Sequence, residues 1–255
     1  MSDPASKHEY QSDFFEYINS GSTASARLIC PLIVDWLRPR SLLDVGCGAG
    51  AWCRVWKEQG LTEVIGVDGA YVDRTRLLLP EADFHARDLA QGFDLGRRFD
   101  VVTSLEVAEH VPGTSSRVFV ENLVRHGDTV LFSAAVPGQG GEFHVNEQPL
   151  SYWRDIFREH GFRCFDPLRR LIGRQRQVEP WYRYNTLMYV RDAATSALPE
   201  AVRQWEIASD AAIPDLSPAS WRARNAVLRN LPKPAVEVLV RLKHALVRRL
   251  REPAP

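Results

Sequence analysis

A glycine-rich segment follows a short apolar run near residue 45, and its spacing suits a loop that holds a nucleotide. Residues 42–45 form the largely apolar run, and residues 46–50 read Gly-Cys-Gly-Ala-Gly. Glycines at such a turn let the backbone approach a ligand without a Cβ in the way. Gly46, Gly48 and Ala51 also fit the dinucleotide pattern G-x-G-x-x-A, so the glycines alone admit a nicotinamide or flavin cofactor.

Acidic residues near three predicted strand ends narrow the choice of nucleotide. Asp44 precedes the first glycine by two residues, where a carboxylate would repel a pyrophosphate but suits the amino group and sulfonium of S-adenosylmethionine. Asp68 and Gly69 end the next strand, where the carboxylate can accept hydrogen bonds from both ribose hydroxyls. Asp88 and Leu89 follow the third strand and suit the adenine amine and ring. Together these residues predict an S-adenosylmethionine site.

Two histidines, His144 and His110, are the candidates for removing a proton from an alcohol that attacks the sulfonium methyl group. Histidine is suited to this task because its unperturbed pKa is roughly 6.5. His144 lies in a glycine-containing loop after the fifth predicted strand, and general base, substrate hydrogen bonding and a structural loop role all remain open. His110 follows Glu109, and cofactor support is favoured over proton removal. His144 and Glu147 give one possible ligand pair without a clear third member, so no metal is expected.

The elements that must position these residues alternate between short apolar runs and amphipathic stretches. The strands are predicted at residues 41–45, 64–67, 83–85, 99–104, 129–135, 162–168 and 186–190. The helices between them are predicted at residues 51–59, 72–79, 115–125 and 150–160. This order predicts an α/β fold with a doubly wound, seven-stranded, mostly parallel sheet, whose ligand lies at the carboxyl ends of the strands.

Helical segments flank the predicted sheet on both sides along the chain. Residues 8–37 are predicted to form a helical cover that is interrupted at residues 19–22. Residues 1–192 are therefore assigned to one domain, and residues 193–255 to a helical C-terminal extension. An amphipathic helix with five arginine or lysine residues is predicted at residues 236–251.

Basic and acidic residues balance over the whole chain but are distributed unevenly along it. The chain has 32 basic and 32 acidic residues, so nothing in the total indicates nucleic acid. Residues 1–150 contain 13 Lys and Arg against 21 Asp and Glu, whereas residues 151–255 contain 19 against 11. The basic helix at 236–251 fits packing on the acidic half of its own or a neighbouring subunit, which is favoured, or peripheral contact with an anionic membrane, or binding of an anionic substrate. Packing on a neighbouring subunit would make the protein a homodimer, which is one expected oligomeric state.

The N-terminus and the cysteines bear on location. The first residues lack a basic region followed by an apolar stretch, and no apolar run reaches the roughly 20 residues of a membrane span. The four cysteines show no paired spacing with a histidine, so neither a disulfide framework nor a zinc site is indicated. We expect a cytoplasmic protein with reduced thiols.

Several successive motifs resemble those of class I S-adenosylmethionine-dependent methyltransferases over residues 41–135. The motifs are residues 42–50, Val67-Asp68, Asp88-Leu89 and residues 99–111, which read FDVVTSLEVAEHV. The loop PGQGG at 137–141, followed by HVNEQ at 144–148, resembles a bacterial subgroup that acts on sugars, glycans or specialised metabolites.

This resemblance implies roles for particular residues. It places Asp44, Gly46 and Gly48 against the methionine part of the cofactor, Asp68 on the ribose, Asp88 and Leu89 on the adenine, and Glu106 and His110 beside the sulfonium. Cys47, Gly69 and Leu105 are also expected to bind the cofactor. Tyr17 would lie in the N-terminal cover over the methionine carboxylate. Trp181, Tyr182 and Glu147 are expected on the substrate side, where the aromatic rings could stack on a small molecule.

The resulting functional hypothesis is transfer of a methyl group from S-adenosylmethionine to a hydroxyl of a saccharide or specialised metabolite, with S-adenosylhomocysteine as the product. N-methylation of an amine in such a metabolite is the first alternative. A dinucleotide-dependent oxidoreductase and a cofactor-binding scaffold without turnover are the others. A nucleic acid substrate is disfavoured because no basic stripe interleaved with aromatic residues is present.

Overall fold

A computed structural model describes the backbone of residues 12–231 and the side chains of residues 21–231. Eight strands form one sheet: β1 (Ser41–Val45), β2 (Glu63–Asp68), β3 (Phe84–Ala86), β4 (Val101–Leu105), β5 (Thr129–Ser133), β6 (Phe162–Phe165), β7 (Leu187–Arg191) and β8 (Glu206–Ile207). Over the same described residues, eight α-helices accompany the strands: α1 (Ser12–Leu37), α2 (Ala51–Glu58), α3 (Ser116–His126), α4 (Leu150–Glu159), α5 (Pro167–Ile172), α6 (Pro180–Asn185), α7 (Glu200–Arg203) and α8 (Ala219–Arg229).

The sheet has the strand order β3-β2-β1-β4-β5-β7-β6-β8. Strands β1 to β5 pair in parallel, whereas β7 is antiparallel to both β5 and β6, and β8 is antiparallel to β6. The chain therefore reverses its direction of growth between β3 and β4, which places a ligand crevice at the carboxyl ends of β1 and β4. The predicted doubly wound, mostly parallel α/β sheet is confirmed.

Helices cover both faces of the sheet because neighbouring strand residues point to opposite sides. Leu42 packs with α1, α2, α5 and α6 in one hydrophobic cluster. Leu43 packs with α3 and α4 in the other. The same alternation recurs at Val101 and Val102 on β4. Strands buried on both faces read as continuous apolar runs, which is why their positions could be predicted.

Two local predictions were wrong, and one strand was missed. The helix expected at residues 72–79 is a single 3₁₀ turn, Arg74–Arg76, because Asp73 accepts hydrogen bonds from the backbone and hydroxyl of Thr75 and Leu77 then turns extended. The expected break at residues 19–22 is absent, since α1 runs without interruption to Leu37. Strand β8 was not predicted at all, because its two residues carry no periodic pattern.

Part of the predicted C-terminal extension packs against the sheet. Leu198 and Val202 are buried in the first hydrophobic cluster, and β8 pairs with β6. The division of the chain at residue 192 stays a prediction, and the amphipathic helix predicted at residues 236–251 lies outside the described residues. Within the described part of the chain, no helix has both the length and the apolar character that crossing a membrane requires.

Candidate active site

The predicted cofactor residues meet at the carboxyl ends of three adjacent parallel strands. β1 leads into the glycine loop, β2 ends in Asp68, and β4 ends in Leu105, which is buried. Because β1 pairs with both β2 and β4, the loops that follow these strands share one edge of the sheet. We call this edge the carboxyl edge.

The glycine loop turns through left-handed backbone conformations that favour glycine. Gly46, Gly48 and Gly50 have φ angles of 84°, 54° and 89°. A Cβ at Gly46 would overlap the side chain of Val107, so the loop after β4 packs directly on the glycine loop. A Cβ at Gly48 would meet open space, so this glycine faces outward. The predicted Cys47 lies between them and is buried.

Asp44 is buried beneath this loop, with 4% of its surface exposed. Its Oδ1 accepts a hydrogen bond of 2.6 Å from the Thr103 hydroxyl, and its Oδ2 accepts a 3.5 Å bond from the Cys53 thiol. Burial, with a smaller effect from the charge of Asp68 and against the opposing effect of the two hydrogen bonds, raises the pKa of Asp44 to about 6. A cation bound nearby would favour the ionised carboxylate.

This pKa predicts how cofactor affinity depends on pH. A carboxyl with a raised pKa is protonated as the pH falls through 6, and the proton must leave before a cation can bind there. Calorimetric titration should therefore give a Kd for S-adenosylmethionine about tenfold higher at pH 5 than at pH 7. The Asp44→Asn variant should bind more weakly but with little change over this range. An equally steep profile in Asp44→Asn would contradict the assignment.

Asp68 organises the loops after β1 and β2. Its Oδ2 accepts a 2.6 Å hydrogen bond from the Gly48 amide, and its Oδ1 accepts bonds from the Gly69 amide at 2.6 Å and from the Tyr71 hydroxyl at 2.5 Å. Burial raises the pKa of Asp68. Tyr71 was not predicted, although it follows the acid by three residues, and its side chain is largely exposed. Its hydroxyl lies where we expect a ribose hydroxyl to bind.

The predicted adenine residues differ in their surroundings. Asp88 is exposed, and its Oδ1 accepts a 2.9 Å hydrogen bond from the Ala90 amide. Leu89 is buried in the second hydrophobic cluster, beside Val67 of β2. Leu89 thus offers an apolar surface next to the end of β2, while Asp88 keeps its second oxygen toward solvent.

Glu106 follows β4 with a φ angle of 58°, which is unusual for a residue other than glycine and is typical of functional sites. Its carboxylate accepts hydrogen bonds from Gln139 at 2.7 Å and from Asn185 at 3.3 Å. Burial raises the pKa of Glu106, although these donors oppose the shift. Gln139 and Asn185 were not predicted, because nothing in their local sequence indicates that they meet Glu106.

His144 reaches the carboxyl edge from the loop after β5. Its Nδ1 lies 2.8 Å from Oε1 of Glu147, and its Nε2 lies 4.0 Å from Oε1 of Glu109. The ring of His110 stands edge to face with it, with 5.0 Å between the ring centres. The loop is fixed because the amides of Val145 and Asn146 donate to the Glu109 carbonyl. The structure therefore brings both predicted histidines and Glu147 together.

A family model described as a methyltransferase domain matches residues 25–174, which is more than half of the chain. The chain belongs to this methyltransferase family. The predicted resemblance to class I S-adenosylmethionine-dependent methyltransferases is confirmed, and the choice left open by the glycines is decided for S-adenosylmethionine over a dinucleotide.

The curated relatives match only part of this methyltransferase. The ubiquinone biosynthesis O-methyltransferase of Pseudomonas syringae pv. tomato is 31% identical over 140 residues, covering 49% of this chain and 55% of the relative. The enzyme of the same name from Neisseria meningitidis serogroup C is 33% identical over 150 residues, covering 52% and 58%. The chain spans about half the length of the curated relatives it matches.

Solved structures show the same fold at low sequence identity. DesVI of Streptomyces venezuelae matches with a TM-score of 0.52 and 17% identity, over 75% of this chain and 99% of that chain. KedS8 of Streptoalloteichus sp., described as a sugar N-methyltransferase, matches with a TM-score of 0.55 and 18% identity, over 75% and 97%. Both support the class I methyltransferase fold.

The carboxylates of this methyltransferase site suit a cationic cofactor. Asp44, Asp68 and Glu106 accept hydrogen bonds from neutral donors, namely hydroxyl, thiol and amide groups. Carboxylates removed from water without a cationic donor are destabilised in their ionised form. A ligand that carries a sulfonium and an amino group supplies the opposite charge, whereas a pyrophosphate would add repulsion.

Of the remaining predicted site residues, the side chains of Tyr182 and Trp181 are described and that of Tyr17 is not. Tyr182 is buried on the α1 side of the sheet, where its hydroxyl lies 3.1 Å from Ser22 Oγ and accepts a 3.4 Å hydrogen bond from Trp52 Nε1. Trp181 is half-buried beside it. Their roles in substrate binding stay predictions. Tyr17 lies in the part of α1 whose side chains are not described.

Helix α8 covers the loop that precedes His144. Arg224 donates a 2.8 Å hydrogen bond to the carbonyl of Gln139, and the backbone of Asn225 leaves no room for a Cβ at Gly138. The ring of Trp221 lies 5.9 Å from that of Tyr184. The described part of the C-terminal extension is thereby part of the surroundings of the site.

Proposed function

We propose that this chain transfers a methyl group from S-adenosylmethionine to a hydroxyl oxygen of a saccharide or specialised metabolite. The observation that carries the proposal is the arrangement of the carboxyl edge. Asp44, Asp68 and Glu106 offer negative charge to a cationic cofactor, and His144 lies close enough to Glu106 to act on its charge, with its Nδ1 held by Glu147. The O-methyltransferase names of the curated relatives agree with it.

In this proposed function, the residues of the carboxyl edge bind the cofactor. Asp68 binds the ribose, Leu89 and Asp88 bind the adenine, and Asp44 with the loop at Gly46 to Gly48 binds the methionine part. Leu105 and Glu106 line the sulfonium side. The cofactor supplies an activated methyl group, and the residues orient it and exclude water, which is the main contribution that a protein makes to such a displacement.

The acceptor side of the proposal rests on His144. Because Nδ1 is held by Glu147, the Nε2 atom is the one that can contact an acceptor hydroxyl and take its proton. His110, whose ring contacts that of His144, supports the cofactor pocket. Orientation of an imidazole by a carboxylate is a common arrangement for general bases.

A cavity between Asn185 and helix α8 is a candidate acceptor site, and its described lining does not include His144. It has a volume of about 480 Å³ and reaches Asn185, the residue that donates to Glu106. The lining includes aromatic rings, guanidinium groups and hydroxyl or amide groups: Tyr184, Trp221, Arg222, Arg229, Ser217 and Asn225. Aromatic faces with convergent polar groups suit sugars and other hydroxylated metabolites.

Methyl-labelled S-adenosylmethionine tests the proposal. The protein is incubated with it and with separate pools of nucleotide sugars, free saccharides, amino sugars and phenolic metabolites. We expect label in a hydroxylated pool, and the ¹³C shift of the new methyl group should report an oxygen neighbour. Label on nitrogen would replace the proposal with N-methylation. Tight cofactor binding with label in no pool would overturn transfer and favour a scaffold.

A further inference from the structure

We infer that Glu109, His110 and His144 bind a divalent transition-metal ion at the acceptor side of the carboxyl edge. Each residue offers one ligand atom, and these three atoms lie within 4.8 Å of one another. Two imidazoles and one carboxylate form a ligand set that suits first-row divalent ions and leaves coordination positions open. This inference departs from the prediction that no metal is used.

The distances require only small adjustments for an ion to bind. His144 Nε2 lies 4.0 Å from Glu109 Oε1, and two ligands held about 2.1 Å from a tetrahedral ion lie about 3.4 Å apart, so this pair must close by about 0.6 Å. The two segments that carry these ligands are fixed to each other, because the amides of Val145 and Asn146 donate to the Glu109 carbonyl at 2.9 and 3.0 Å. Asn146 adds a 3.0 Å side-chain bond to the Ser116 hydroxyl. The ligand geometry is thus preorganised.

A carboxylate behind His144 orients its ring as metal-binding histidines require. Glu147 Oε1 lies 2.8 Å from His144 Nδ1, and the Glu147 carboxylate also accepts bonds of 2.8 Å from the amides of Gly138 and Gly140. Hydrogen bonding at Nδ1 leaves Nε2 to face Glu109. Metal-binding histidines almost always bond to a carboxylate or carbonyl through the nitrogen that does not hold the metal.

The burial of the Glu109 carboxylate is a separate indication that a cation binds here. The residue is 1% exposed, and within the part of the chain that the structure describes its Oε2 atom is buried without a hydrogen-bond partner. An ionised carboxylate in that position is destabilised strongly unless a cation compensates it. A bound divalent ion would supply the missing charge.

The open coordination positions point to a role for the ion. A site with three protein ligands keeps room for a water or substrate oxygen, and a metal makes a bound hydroxyl more acidic, so that its proton can pass to solvent water. This part of the inference rests on the proposed function. With the ion bound, Nε2 of His144 is a ligand, so the imidazole would hold the ion that acts on the acceptor instead of taking the proton itself.

Titration with Co²⁺ alone tests the site, because its visible absorption bands report the ligands that contact the ion. The full chain is treated with a chelator and titrated without cofactor or acceptor. We expect one Co²⁺ per chain with a spectrum of nitrogen and oxygen ligands. His144→Ala and Glu109→Gln should abolish the bands, and Glu147→Gln should weaken binding about 10- to 100-fold.

Three further variants keep the test independent of folding. Gly141→Ala retains every ligand, but its Cβ would overlap the His144 ring, so it should also lose Co²⁺. Two control variants should bind Co²⁺ as the wild type does. Gly92→Ala adds a Cβ that would meet open space, and Glu142→Gln changes a carboxylate on the loop that carries His144. Circular dichroism confirms that each variant is folded. No binding by wild type, or equal binding by all variants, would overturn the inference.

The outcomes separate this inference from the proposed function. If label transfer continues undiminished in excess chelator and no Co²⁺ site is found, the metal inference is overturned and the proposed methyl transfer stands. If Co²⁺ binding depends on the three ligands but label is transferred to no acceptor, the metal inference stands and the proposed reaction is overturned.

Discussion

Replacing His144 by alanine is expected to lower kcat for methyl transfer by about 10²- to 10⁴-fold, the usual contribution of a group that acts on the acceptor proton. The Kd for S-adenosylmethionine should stay within about twofold, because the proposed cofactor contacts lie on Asp44, Asp68 and the glycine loop. Single-turnover transfer of labelled methyl measures the first quantity and calorimetry the second. The expected effect is the same whether the imidazole takes the proton or holds a metal ion.

A histidine away from the site supplies the matched control. His160 ends α4 and is not part of the carboxyl edge, so His160→Ala should retain wild-type turnover. Turnover of His144→Ala within about threefold of wild type would remove His144 from the acceptor side. A parallel rise in the cofactor Kd would instead place it among the cofactor contacts.

Replacing Asp68 by alanine should raise the Kd for S-adenosylmethionine by about 10²- to 10⁴-fold. Hydrogen bonds to a charged group contribute about 1.5–3 kcal/mol each, and the carboxylate is proposed to accept from two ribose hydroxyls. The substitution also removes the acceptor for the Gly48 and Gly69 amides, which shapes both loops. Calorimetric titration of the folded variant measures the change.

Asp73 is the matched control for Asp68, because it is an exposed aspartate five residues further along the same loop. Its side chain accepts hydrogen bonds from Thr75 only locally. Asp73→Ala should bind the cofactor with wild-type affinity. A Kd for Asp68→Ala that matches the Kd for Asp73→Ala would show that the nucleoside binds away from the end of β2.

The sheet could be predicted because its strands are buried on both faces. Strands β1, β2, β4, β5, β6 and β7 contribute residues to both hydrophobic clusters, as Leu42 and Leu43 of β1 do, and this produces apolar runs that stand out from the helices. Residues 72–79 misled because their apolar residues resemble a helix face, whereas Asp73 caps a short turn and Leu79 packs over Gly50. β8 is held by pairing with β6, a contact that a local pattern does not reveal.

The residues proposed to bind the cofactor could be predicted from the sequence, whereas those on the acceptor side could be predicted only in part. Asp44 and Asp68 come directly from strand ends, so their meeting follows from the parallel sheet. Gln139 and Asn185 donate to Glu106 from distant segments, and only the folded chain brings them there. Glu109 was passed over for the same reason, because its distance from Nε2 of His144 depends on the loop after β5.

The structure of the protein with bound S-adenosylhomocysteine, the product expected of the reaction, tests the central claim most directly. The account predicts that the ribose hydroxyls bind the Asp68 carboxylate in place of the Tyr71 hydroxyl, that the adenine lies against Leu89, and that the sulfur lies on the side of Glu106. A ligand bound elsewhere on the molecule, or no binding at saturating concentration, would contradict the assignment of the carboxyl edge.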